Sequence, residues 1–160
     1  MRLLPVPPEH LDGVFRIMHR EVGSIASRSN GRLSATDLLE MARAGDLIVW
    51  AVADPQINLV AIVLAEIRLY PRAKVCRLVG CAGRDRKSWL PLLSEIERWA
   101  ASVGCTQMHA EARKGWAGEL SDYRVTHILL EKDLVHVERR IEDAAGELGE
   151  RAVERTAAVP

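Results

Sequence analysis

The stretch from Lys74 to Leu134 constrains this chain most. Its pattern predicts a strand, a glycine-bearing turn, an amphipathic helix, a strand, a short helix and a last strand, with almost nothing left over. The strand covers Val75 to Val79. The turn follows within Arg77-Leu78-Val79-Gly80-Cys81-Ala82-Gly83 and leads into Arg84-Asp85-Arg86-Lys87. A turn between a strand and a helix is a place to hold a phosphate. The first N–H groups of a helix lack partners inside it, and its dipole favours negative charge there.

The helix after the turn starts at Ser88, an N-cap residue, with Pro91 tolerated in the first turn. Trp89, Leu92, Leu93, Ile96, Trp99 and Ala100 make its apolar stripe, and Gly104 suits a left-handed C-cap. Cys105 to Ala112 reads as a strand, Gly115 to Leu120 as a short helix, and Val125 to Leu130 as another strand. From Asp133 the chain turns into a charged amphipathic helix with Leu134, Val137, Ile141, Ala145 and Leu148 at helical spacing. That stripe is a candidate docking element for a protein partner.

The N-terminal half precedes this with two helices and a hairpin. A helix begins near Pro7-Pro8 and buries Leu11, Val14, Phe15, Met18 and Val22. Gly23 to Gly31 reads as a loop. A second helix runs from Ser34 to Arg43, capped by Thr36 and Asp37 and closed by Gly45. Leu47 to Val52 and Leu59 to Leu69 are strands joined by Asp54-Pro55. The continuous apolar start of the second strand predicts a sheet covered on both faces.

Composition narrows the function classes. The 22 Lys and Arg balance 22 Asp and Glu, which argues against nucleic acid as the main partner. The longest apolar runs, such as Leu59 to Ala65, are too short to span a bilayer, and Met1 to Pro5 carries no apolar signal core. The three cysteines, Cys76, Cys81 and Cys105, have no metal-ligand spacing and form an odd set, so neither a disulfide framework nor a metal is expected. They point to a reducing, cytoplasmic setting. Cys81 stands out, because a helix N-terminus stabilises a thiolate.

Three further residues draw attention. Glu66 interrupts an apolar strand, as a buried base does, or as a carboxylate paired with Arg68 or another cation does. His109 and Glu111 are two apart on a strand and share one sheet face, as an acid/base pair or as a polar solvent face.

The order of elements resembles the GNAT superfamily of acyl-CoA-dependent N-acetyltransferases, over about Met1 to Leu134, with 135–160 as a tail. The resemblance implies a mixed α/β (α+β) fold, a central twisted mixed sheet flanked by helices, here with an extra C-terminal helix. Arg77 to Ala82 fits the family's pyrophosphate motif, which implies Arg77, Gly80, Cys81, Ala82, Gly83 and Arg84 as binders of acetyl-CoA, with an amine as acceptor. The family usually carries a catalytic Tyr followed by Gly-Phe after its fourth helix. Here Ser121 falls at the Tyr position, Tyr123 two residues later, and Arg124-Val125 replaces Gly-Phe. The implied catalytic set is Tyr123 as proton donor to the thiolate, with Glu66 or Glu111 as base. Departing from the family, Arg84 to Lys87 lengthens the loop before the helix.

Trp89-Leu90-Pro91-Leu92-Leu93, Ile96-Glu97-Arg98-Trp99-Ala100, Gly104-Cys105, Arg113 to Trp116 and Leu130 to Leu134 are similar to phage-encoded GNAT-like proteins. That resemblance implies an alternative role, a GNAT-fold structural or binding protein of a virion or its assembly, with chemistry reduced or lost.

Overall fold

The computed structural model describes residues 1–112, 114–127, 129–132 and 134. The chain divides into two compact units, Met1–Trp116 and Ala117–Pro160. The charged helix from Asp133 through 135–160, and Arg113 and Ile128, lie outside the described residues.

The first unit is a five-stranded sheet with helices on both faces, in the order β1 (Arg2–Pro5), β2 (Ile48–Ala53), β3 (Leu59–Tyr70), β4 (Ala73–Gly83) and β5 (Gln107–Ala110). Neighbours are antiparallel except β4 and β5, which are parallel. A parallel pair needs a long crossover, supplied here by α4 (Arg86–Trp89), a 3-10 turn at Leu90–Leu92 and α5 (Leu93–Ser102). Before β2 come α1 (Leu11–Ile17), α2 (His19–Ala26) and α3 (Ala35–Ala44).

Alternation along the strands sorts the two faces. Val49, Ile62 and Leu64 pack with Leu11, Phe15, Val22, Ile25 and Leu38 of α1 to α3. Trp50, the next residue along β2, points to the other face, where Trp99 of α5 meets its ring edge-on at 4.9 Å. Val60 to Ala65 are all buried, as expected of a strand covered on both sides. Each fully buried large apolar side chain contributes roughly 1.5–3 kcal/mol, and Ile62, Leu64, Ile96 and Trp89 are among them.

The caps follow local chemistry, with one change. Ser34, not Thr36, is the N-cap of α3. Its hydroxyl accepts from Asp37 N–H and the Asp37 carboxylate accepts from Ser34 N–H, closing a capping box. Gly45 (φ 84°) and Gly104 (φ 85°) adopt the left-handed conformation that ends their helices.

Several expectations are corrected. The first helix breaks at Met18 into α1 and α2, and α2 with a 3-10 turn occupies most of Gly23 to Gly31. β1 is a strand that the sequence pattern misses. A 3-10 turn at Lys114–Trp116 stands where the short helix is expected. The glycine turn is not a turn. Gly80 to Gly83 continue β4, and the lack of side chains on Gly80 and Gly83 admits close neighbours there. A Cβ on Gly80 would lie 2.5 Å from Ile25 Cγ2 of α2, and one on Gly83 would lie 2.5 Å from the Val60 carbonyl oxygen. The connection to the helix is therefore only Arg84-Asp85, and helical structure begins at Arg86 rather than Ser88. Asp85 is left-handed (φ 51°) and its carboxylate accepts from the Ser88 hydroxyl.

In the second unit Tyr123 N–H donates to the Leu120 carbonyl at 2.9 Å. The strand expected from Val125 to Leu130 does not form at its described positions. Among the described residues no ladder pairs with it, and an unpaired strand has no backbone partners to stabilise it.

Candidate active site

β4 carries the unusual geometry. Leu64 of β3 pairs with Gly80 and Ala65 pairs with Leu78, so Val79 is an extra residue and forms a bulge. Before the bulge, Thr106 N–H donates to the Lys74 carbonyl at 2.8 Å, so Lys74 and, by alternation, Cys76 and Leu78 turn their backbone groups toward β5. After it, Arg84 N–H donates to the Val60 carbonyl at 3.0 Å, so Arg84, Ala82 and Gly80 face β3. Cys81 and Gly83 therefore direct their backbone groups to the opposite edge. β5 does not reach that edge, since its pairing with β4 stops at Leu78 and Ala110. The two parallel strands part where the bulge lies.

An ion-pair chain crosses the sheet beside that opening. Glu66 of β3 and Arg77 of β4 are cross-strand partners, and Arg77 Nε meets Glu66 Oε1 at 2.6 Å. Arg77 Nη1 meets Glu111 Oε1, one residue past β5, also at 2.6 Å. Arg68 closes on the same Glu66 oxygen. Glu66 is the buried charged residue here, 8 % exposed. Burial pushes its pKa up, but hydrogen bonds from Arg77 and Arg68, with their charges, outweigh this and hold it below 4.5. His109 shares the face, with Nε2 at 3.3 Å from Gln107 Oε1, so Glu111 and His109 have separate partners.

The far end of β4 is basic. Arg84 and Arg20 help line a cleft of about 550 Å³ between the α1–α2 junction and the start of β3, with Ile17 and Ile57 at its rim. The Arg84 carbonyl accepts from the Trp89 indole at 3.0 Å. Arg86 lies over the Trp116 ring, 5.3 Å from its centroid. Arg28 and Arg86 are close enough to Cys81 to pull its thiol pKa down. Burial dominates and pushes that pKa up to about 11, so Cys81 stays a thiol at neutral pH rather than the stabilised thiolate its position suggests.

The structure thus joins Glu66, Arg77 and Glu111, strings Gly80, Cys81, Ala82 and Gly83 along one strand, and sets Arg84 at its end. Tyr123 belongs to the second unit. Arg20, Arg28 and the Val79 bulge escape sequence reading. The arginines sit in no motif, and a bulge is a property of strand pairing.

No family model and no curated protein matches the chain. Solved structures do match in fold. An aminoglycoside 6'-N-acetyltransferase from Acinetobacter baumannii is 15% identical, with 82% of this chain and 97% of that one covered at a TM-score of 0.59. An acetyltransferase of Trypanosoma brucei is 14% identical, with 83% and 99% covered at 0.58. An aminoglycoside 6'-N-acetyltransferase from Acinetobacter haemolyticus is 14% identical, with 83% and 98% covered at 0.58. At such identities the likeness is one of fold. The chain has the mixed α+β fold of GNAT acetyltransferases.

Proposed function

We propose that the chain is an acyl-CoA-dependent N-acetyltransferase that moves an acetyl group from acetyl-CoA to an amine. The observation that carries this is the open edge of β4 beyond the Val79 bulge, in a fold shared with solved acetyltransferases. An extended ligand with amide groups can pair with the backbone of Cys81 and Gly83 as an added strand would. Arg84 and Arg20, with Arg28 and Arg86 near Cys81, supply positive charge for phosphates at that end. Gly80 and Gly83 contribute by letting Ile25 and Val60 approach the strand closely, Ala82 by its place in the β3 ladder, and Arg77 contributes no phosphate contact in this reading, since two carboxylates occupy it.

Acetyl-CoA supplies an acetyl group already activated as a thioester. The chain's part is to align it, polarise its carbonyl with strand N–H groups and accept the amine's proton. Glu111 is suited to the last task because its side chain is 55 % exposed and stands one residue past β5, where β4 and β5 part. Tyr123 enters as the proton donor to the leaving thiolate on the strength of sequence resemblance.

Melting with and without millimolar acetyl-CoA tests the proposal. Ligand at a hundred times its Kd stabilises by about 2.7 kcal/mol, roughly 5–10 °C for a domain of this size. An unchanged melting temperature would contradict it. Binding without transfer to any amine would favour the binding-protein reading.

A further inference from the structure

Three features carry chemistry besides the backbone of β4: the cleft beside Arg84, the Cys81 thiol and the Glu66–Arg77–Glu111 chain. The cleft, with Arg84 and Arg20, belongs to the phosphate end already described, and the half-buried Cys81 thiol stays protonated at neutral pH. The ion-pair chain carries an inference through.

We infer that Arg77 is a positioning residue, which buried Glu66 anchors and which holds the Glu111 carboxylate where β4 and β5 part. This rests on the acetyltransferase reading and assigns the proton work within it. Glu66 and Glu111 are not equivalent. Glu66 is enclosed and takes two arginines on one oxygen, Arg68 and Arg77. Adding a proton to it would leave the Arg77 guanidinium, itself only 23 % exposed, short of a counter-charge inside the sheet. Glu111 meets Arg77 through one oxygen at 2.6 Å and is otherwise largely open. It follows Ala110, the last β5 residue paired to β4, so its backbone stands at the mouth of the opening.

The planar guanidinium explains why arginine serves here. Nε and Nη1 lie on different sides of the fork, and each contacts a different carboxylate at 2.6 Å. A lysine at this place has one ammonium and cannot reproduce the two-way geometry. In the reaction the amine nitrogen bonds to the acetyl carbonyl carbon and the C–S bond breaks. The sulfur leaves with the electron pair and takes a proton from water or from Tyr123, the donor the resemblance implies, and the proton lost by the nitrogen passes to Glu111, directly or through a water molecule. Arg77 exchanges no proton. It fixes the direction from which Glu111 receives one.

The test follows release of free thiol from acetyl-CoA, with spermidine, a lysine-containing peptide and kanamycin as acceptors. Arg77→Ala lowers kcat about a hundredfold, the lower range of general-base contributions, while KM for acetyl-CoA and the acetyl-CoA melting shift stay unchanged. Glu111→Gln falls to the same level, and the double variant falls no further. Millimolar guanidinium restores part of the kcat of Arg77→Ala. Should Arg77→Ala not fold, Arg77→Lys keeps the charge and shows the same kcat loss. A kcat that survives in both Arg77 variants, losses that multiply in the double variant, or no rescue by guanidinium overturns the inference while leaving acetyl transfer standing. Wild-type protein that transfers to none of the acceptors and binds no acetyl-CoA overturns both.

Discussion

Glu66 shows how one residue's surroundings settle its chemistry. A carboxylate inside an apolar strand reads as a base or as half of an ion pair. Its partner Arg77 lies eleven residues away across the β3–β4 hairpin, and a second cation, Arg68, lies two away. Both arginines favour the charged form, and burial does not overcome them. Because its folded pKa is depressed, Glu66 contributes stability that is fully present above its unfolded value near 4.5 and is lost as pH falls through the folded value. Urea unfolding of wild type and Glu66→Gln from pH 7 to pH 3 should show a stability gap that is constant at neutral pH and shrinks below about pH 4.5. A gap that stays the same down to pH 3 would mean that the ion pairs contribute nothing. The sequence exposed Glu66 as an anomaly, but strand register was needed to name its partners. The same holds for Glu111, legible as sharing a face with His109 yet bound to Arg77.

At the scale of elements, the C-terminal ends of α3 and α5 were legible and the length of β4 was not. Gly45 and Gly104 act locally, through a backbone conformation that other residues resist, so their roles are visible in the sequence. Gly80 and Gly83 act at long range. Ile25 of α2 and Val60 of β3 determine why they lack side chains, and neither is near them in the chain. A strand end and a turn look alike when the deciding contact is distant. β1 escaped for a related reason, since its four residues gain strand character only by pairing with β2. The tight approach of α2 to β4 gives a direct prediction. Gly80→Val should destabilise the fold by about 1–3 kcal/mol through overpacking against Ile25, with or without acetyl-CoA. Denaturant melts measure this, and a variant as stable as wild type that only loses ligand binding would return Gly80 to a phosphate-binding role.

Across the whole molecule, the sheet order, the parallel β4–β5 pair and helices on both faces reproduce the fold of solved acetyltransferases at 14–15% identity. The order of elements from α3 to β5 was largely legible because hydrophobic periodicity survives where residue identity does not. The opening between β4 and β5 was not, because it depends on one extra residue in a ladder. That opening is the centre of the account. It offers Cys81 and Gly83 backbone groups on an edge that β5 leaves uncovered, while Gly80 and Ala82 are directed into the β3 ladder. Residue-resolved amide hydrogen exchange of β4, with and without saturating acetyl-CoA, tests this most directly. Exchange should alternate, slowed at Cys81 and Gly83 and little changed at Gly80 and Ala82. Bound acetyl-CoA that leaves Cys81 and Gly83 exchanging at their free rates would contradict it.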